Sequence, residues 1–239
     1  MKVLAACSVA VLALTISAHA TNYVGNGNTG FGGPVGTGSL DVTDNGTTAT
    51  FTFNRGSGNF NDGLAIYIDS TAGGFTSTSG FLDNSDGGHS VVSGFGGGNQ
   101  SVMTFDSGFL PDYGISIENG YASLFQLANG PAGSFTYITG ASQSSLNNSA
   151  TYSLTINLAQ IGLTPGAGQS FGLFGTLIST TGYRSTEALA GNDTGTQGVN
   201  PFTQTSFASY TTTAVPEPTT LALAGLSGCL TLLALRRRK

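Results

Sequence analysis

In residues 48–53, "TATFTF", apolar and polar side chains alternate at period two, and residues 134–139, "SFTYIT", repeat the pattern. Successive side chains of a strand point to opposite faces, so the alternation predicts strands with one buried and one wet face, the habit of antiparallel sheets. Further short runs rich in Phe, Tyr, Ile, Val and Thr fall at residues 64–69 ("LAIYID"), 101–105, 114–118 ("GISIE"), 122–127, 150–158 ("ATYSLTINL"), 170–179 ("SFGLFGTLIS") and 206–212. Clusters of Gly, Asn and Asp separate them. Asp44-Asn45-Gly46 and Asn61-Asp62-Gly63 supply the residues that tight hairpins need at positive backbone angles. Between residues 21 and 215 no helical period lasts beyond about two turns, the best candidates being residues 158–163 and 185–190. About nine strands without a long helix predict an all-β fold, an antiparallel two-sheet β-sandwich of jelly-roll type. No repeat of fixed period is present, which argues against a solenoid or propeller.

The two ends read differently. Lys2 is followed by an apolar run over residues 3–16 and by Ala18-His19-Ala20, which gives a positive start, an apolar stretch and a small-x-small cleavage site. This predicts a signal peptide over residues 1–20, cut after Ala20 by signal peptidase. A rival is a lipoprotein signal at residues 4–7, "LAAC", with Cys7 as the acylated residue. Only four residues separate Lys2 from Cys7, too few for an apolar region of about 7–15 residues. At the other end the apolar run over residues 219–235 would span roughly 25 Å as a helix, slightly short of a ~30 Å hydrocarbon core. Snorkelling arginines and local thinning absorb that mismatch. Arg236, Arg237, Arg238 and Lys239 mark the cytoplasmic side, which leaves an exported domain over residues 21–213 outside. Pro216-Glu217-Pro218 resists helix formation and forms an extended strip beside this transmembrane helix.

Triplet, apolar run and cations occur in that order in "VPEPTTLALAGLSGCLTLLALRRRK", starting at Val215. The segment resembles the C-terminal sorting signal of PEP-CTERM proteins, which assigns residues 214–239 to sorting. The resemblance implies an inner-membrane-anchored precursor in a bacterium with two membranes. An exosortase would recognise and cut Pro216-Glu217-Pro218, followed by delivery to the cell surface or the extracellular polysaccharide matrix. Many proteins with this signal are non-enzymatic. Residues 65–74 ("AIYIDSTAGG"), 110–117 ("LPDYGISI") and 173–189 are similar to DOMON-like and carbohydrate-binding sandwich modules. That likeness implies sugar stacking on aromatic faces. The chain has no Trp, so Tyr67, Tyr113 and Tyr183 are the stacking candidates, with buried cross-strand packing as the alternative role for each.

Composition narrows the chemistry. Within residues 21–215 only Arg55 and Arg184 stand against eleven carboxylates, a formal charge of −9, which repels phosphate backbones and argues against nucleic-acid binding. Cys7 and Cys229 both lie outside this body, which excludes an internal disulfide or thiolate metal site there. "GNGNTG" at residues 25–30 fits G-x-G-x-x-G, but no helical pattern follows to present its N-terminus to a pyrophosphate, which argues against dinucleotide binding. "DNSDGGHS" at residues 83–90 is the densest polar cluster, either a solvated loop or a Ca²⁺ site on Asp83 and Asp86; it lacks the downstream Glu of an EF-hand. His89 is the body's one histidine and has no G-x-S-x-G elbow to serve. Most Asp residues fall in turn signatures, whereas glycoside hydrolysis requires two opposed carboxylates. Asn45, Asn147 and Asn192 begin sequon matches of the kind a Ser/Thr-rich chain produces by chance. The expected function is that of a non-catalytic exported protein without a cofactor. A carbohydrate-binding module for matrix glycans is the alternative, and a glycan-active enzyme stands third.

Overall fold

The computed structural model describes residues 19–213. In chain order these form β1 (His19–Val24), β2 (Ser39–Asp44), β3 (Thr48–Asn54), β4 (Gly63–Asp69), α1 (Gly87–Ser93), β5 (Phe95–Gly96), β6 (Asn99–Gln100), β7 (Met103–Thr104) and β8 (Tyr113–Ile117). There follow β9 (Tyr121–Gln126), β10 (Thr136–Ser142), β11 (Thr151–Asn157), β12 (Ser170–Ile178), β13 (Arg184–Leu189), β14 (Gly191–Gly195) and β15 (Phe202–Thr211). Short 3-10 turns lie at Thr78–Gly80 and Leu158–Ile161. The protein is mostly β. A small sheet runs β1-β2-β3-β11, and a large sheet runs β10-β9-β8-β4-β12-β15-β14, with β13 beside β12 and β7 on β15. These pairings are antiparallel except β7 with β15.

The two sheets share one core. Leu40, Val42, Phe51, Phe53, Leu154 and Ile156 of the small sheet pack with Leu64, Ile66, Ile68, Ile115, Leu124, Leu173 and Leu177 of the large one. Chain connections tie them together. The links β3 to β4 and β11 to β12 both cross between sheets, while β3 pairs with β11 and β4 with β12. Phe53, Phe60 and Tyr152 close one end of the core, with centroids 5.1 Å apart for Phe53 and Phe60 and 4.9 Å for Phe60 and Tyr152.

A second apolar layer explains why some strands alternate and others do not. β3 has one solvent face and alternates buried with half-buried positions, whereas every residue of β4 but Asp69 is buried. The far face of the large sheet carries Ala65, Tyr67, Phe125, Phe174 and Ile178, covered by α1, Phe81, Met103, Phe105 and Phe109. A strand enclosed on both faces reads as a continuous apolar run. The expected pair of sheets therefore has an added outer layer.

Several expectations need correction. Of residues 185–190, one of the helical candidates, 185–189 belong to β13 and Ala190 follows it at φ 54°. The strand's helix-forming Glu, Ala and Leu are overridden by pairing with β12. The candidate at residues 158–163 is a 3-10 turn, Leu158–Ile161. Asp44-Asn45-Gly46 turns as expected, with Gly46 at φ 77°. Asn61-Asp62-Gly63 makes no hairpin, because Gly63 opens β4 after the crossing between sheets. β1, β2 and α1 were not among the expected elements. Asp44 occupies an inward position of β2 that an apolar residue would have marked. Cleavage after Ala20 would leave residues 21–24 of β1 paired with β2.

α1 is built by tertiary contacts, since "GGHSVVS" is poor in helix formers. Asp86 caps its start and Gly94, at φ 69°, ends it. Val91 and Val92 then enter two notches in the sheet. A methyl group on Gly63 would lie 2.3 Å from Val91 Cγ2, and one on Gly114 would lie 2.5 Å from Val92 Cγ1. Tyr67 Oη donates to the Val92 carbonyl at 2.8 Å and fixes the helix from below.

Gly114→Ala should therefore destabilise the fold by about 1–3 kcal/mol through overpacking. Val92→Ala in the same chain should recover part of that loss, because it removes the clashing Cγ atoms. Denaturant unfolding of the two single variants and the double variant measures the coupling; strictly additive losses would contradict the notch.

Candidate functional site

The outer face of the large sheet presents two aromatic rings to solvent at its β10 edge. Tyr121 is 45% exposed and Tyr137 is 50% exposed, and their hydroxyls meet at 3.0 Å. Sequence explains the geometry. Asn119-Gly120 makes the tight turn between β8 and β9, with Gly120 at φ 99°. Ser116, Ser123 and Gly140 stand in one row across β8, β9 and β10. Gly140 has no side chain, so the Tyr121 ring lies against the strand there. A methyl group on Gly140 would sit 2.7 Å from Tyr121 Cε1 and 2.8 Å from its Oη. Tyr137 rests edge-on against buried Phe125, with centroids 6.2 Å apart.

Polar groups flank the rings. Glu118 stands across the turn from Tyr121 and accepts the Ser116 hydroxyl at 3.0 Å. Burial pushes the Glu118 carboxyl up, against the Ser116 hydrogen bond, and the charge of Asp86 adds to the rise. His89 lies over Phe125 at 4.3 Å between centroids. Of the tyrosines expected to stack sugars, Tyr67 is buried and edge-on to Phe105, and Tyr113 is half-buried against the inter-sheet core. Tyr183 is 45% exposed. The Tyr121–Tyr137 pair was missed, although "ENGY" is a strong hairpin signal.

The residues proposed for calcium have separate duties. Asp83 is fully buried: Oδ1 accepts the N–H and hydroxyl of Ser85 at 3.1 and 2.6 Å, and Oδ2 accepts the Phe135 N–H at 2.8 Å. Burial pushes its pKa up, but these donors and the Gly133 N–H outweigh it and hold it at about 2. Asp86 Oδ1 accepts the His89 N–H at 2.9 Å and pairs with His89 Nδ1 at 2.8 Å. The segment is thus a solvent-exposed turn at residues 84–86, anchored by buried Asp83, that runs into the start of α1. Among the described residues no group of three His, Cys, Asp or Glu side chains is gathered as for a metal ion.

The G-x-G-x-x-G match has an unexpected partner. β1 leads into this glycine-rich segment, and the loop that continues it closes around the Glu187 carboxylate. Oε1 accepts the N–H groups of Phe31 and Gly33 at 2.6 and 3.1 Å, and Oε2 those of Val35 and Gly36 at 3.0 Å each. Asn26 and Asn28 amides bond the Thr186 carbonyl at 2.9 and 2.8 Å. Successive backbone N–H groups form an anion-binding nest, and here the anion belongs to the chain itself. Gly33 adopts φ 89°, and a methyl group on Gly36 would meet the Asn28 carbonyl oxygen at 1.9 Å.

A third polar set lies behind β13, β14 and β15. Arg184 is fully buried; its Nη2 donates to the Ser101 carbonyl at 3.3 Å and its guanidinium lies 5.8 Å from the Phe202 ring centre. Asp193 stands opposite Gln204. Arg184 Nε and Nη1, Asp193 Oδ2, Gln204 Nε2, Ser101 Oγ and Thr176 Oγ1 are buried without a hydrogen-bond partner among the described residues. Burial raises the Asp193 pKa to about 6, with the Arg184 charge opposing the rise.

Pro216, Glu217, Pro218, Arg236, Arg237, Arg238, Lys239 and Ala18 lie outside the described residues, as does the helix expected over residues 219–235. Ala20 is exposed in β1. Among the described residues no helix is long and apolar enough to cross a membrane. Residues 214–239 match the family model of the PEP-CTERM protein-sorting motif. No curated protein and no solved structure matches the chain.

Asp193→Asn tests the third polar set through pH. A carboxyl raised from 3.8 to about 6 on folding contributes stability that is present below 3.8 and lost as pH rises through 6. At pH 7.5 the variant should be more stable than the parent, by up to about 3 kcal/mol. The gap should close by pH 4 in thermal melts. An equal or lower melting temperature at pH 7.5 would contradict the assignment.

Proposed function

We propose that the protein is a non-catalytic exported protein that an exosortase processes at Pro216-Glu217-Pro218 and delivers to the bacterial cell surface or its polysaccharide matrix. The match of residues 214–239 to the PEP-CTERM sorting motif carries this reading. Such a motif implies an exported, membrane-anchored precursor with an exosortase as its processing partner. The described fold is compatible with processing there, since β15 ends at Thr211 and the motif begins after Thr213. Cleavage at the triplet leaves every strand among the described residues intact.

The duties of the acidic groups support a non-catalytic role. Glu187 and Asp83 hold backbone N–H groups, Asp44 holds Gly46 and Thr213, and Asp112 holds Thr71. His89 packs on Phe125 and bonds the cap of its own helix. We read the two facing sheets as a jelly-roll-like sandwich, supported by the side-by-side crossings β3 to β4 and β11 to β12.

Glu217→Ala should leave the body folded and block processing, because the prolines keep the strip extended while Glu217 gives a recognition pocket its one fixed charge. Mass spectrometry of the surface fraction should find parent chains ending near Val215, and variant chains should stay full-length in the inner membrane. Intact Lys239-terminated parent protein as the only mature species, in a host with an exosortase, would overturn the reading.

A further inference from the structure

Single exposed hydrophobic side chains are normal on a protein surface, whereas adjacent ones held in place mark a surface that something uses. Tyr121 and Tyr137 are half exposed although the face beside them is closed by α1, His89 and Phe125. They are also fixed in place. Gly140 lets one ring lie on the sheet, Phe125 supports the other, and the hydroxyl contact of 3.0 Å joins them. The result is a fixed aromatic pair at the end of a sheet whose edge strand β10 has no fully buried residue.

The chemistry selects the occupant. A π face is electron-rich and attracts the polarised C–H groups of a flat sugar ring. Glu118, whose N–H donates to the Tyr121 carbonyl across the turn, and Asp86, close enough for its charge to act on Glu118, offer carboxylate acceptors to hydroxyl groups, and the Asp86 side chain is 63% exposed. The same carboxylates, on a body of formal charge −9, repel anionic polymers and anionic lipid surfaces. A protein partner needs roughly 800 Å² per side with an apolar centre. Tyr121 and Tyr137 are the only large exposed hydrophobic side chains on these strands.

We propose that Tyr121 and Tyr137, with Glu118 and Asp86, form a binding site for a neutral polysaccharide chain. The proposal rests on the reading above only for its setting, an exported surface that meets matrix polysaccharide. Its failure would leave processing at Pro216-Glu217-Pro218 untouched.

Native affinity electrophoresis tests it, with the full-length chain solubilised in a detergent that has no sugar headgroup. The gels contain hydroxyethylcellulose, glucomannan, laminarin or dextran, with alginate as the anionic control. At least one neutral polymer should retard the parent protein. Tyr121→Ala and Tyr137→Ala should each weaken that binding about tenfold, a change of about 1.4 kcal/mol. Gly140→Val, which displaces the Tyr121 ring, should act similarly, and Tyr183→Ala should not. Tyr121→Phe and Tyr137→Phe keep both rings and should retain most of the binding, which separates a lost site from a lost fold. No retardation by any neutral polymer, stronger retardation by alginate, or equal retardation of the Tyr→Ala variants would overturn the proposal. So would a concentration-dependent dimer lost in Tyr137→Ala without any retardation, which would make a second copy the occupant.

Discussion

The Glu187 carboxylate, buried on β13 and surrounded by four backbone N–H groups of residues 31–36, is the contact on which the arrangement of the two sheets turns. An ionised carboxylate away from water is costly unless donors replace its hydration, so Glu187 and the glycine-rich loop stabilise each other. The loop joins β1 to β2 of the small sheet, while β13 pairs with β12 of the large sheet. One side chain therefore fastens the long connection of one sheet to a strand of the other. Ala190, at φ 54°, turns the chain directly after β13 so that β14 pairs with β15.

The same solution recurs in other connections. Asp83 holds the Phe135 N–H, Asp69 holds that of Leu110, and Asp44 accepts from Gly46, Thr213 and the Tyr210 hydroxyl. Arg55 donates to the carbonyls of Ser149, Gly56, Gly58 and Asn148. Among the described residues the one contact within 4.0 Å between a basic and an acidic side chain is that of His89 with Asp86. The few charges of this Gly-rich body mostly grip backbone groups, which is how long loops gain order without covalent crosslinks.

Sequence reading found what depends on short-range pattern. β3 was legible because alternation survives where one face is wet, and β4 and β12 because enclosure on both faces leaves apolar runs. β13 was misread, since "STEAL" has helical propensity and only pairing with β12 makes it a strand. α1 was invisible because its stability comes from notches at Gly63 and Gly114, far from it in sequence. The glycine-rich motif at residues 25–30 was legible only as a template lacking the helix that a pyrophosphate needs, while the carboxylate held by the loop after it lies 151 to 156 residues away and left no local signal. The aromatic pair stayed hidden because it needs the register shift in β10 after Tyr137 and the bare surface of Gly140. The sorting motif was legible since it consists of contiguous residues.

The central structural claim is that buried charged side chains give these loops the rigidity of the sheets they connect. Native-state hydrogen exchange measures this at single amides. The N–H groups of Phe31, Gly33, Val35 and Gly36 should exchange as slowly as those in the middle of β4, through the opening that exposes the core. Exchange of these four at the rate of unprotected loop amides, with β4 still protected, would contradict the account.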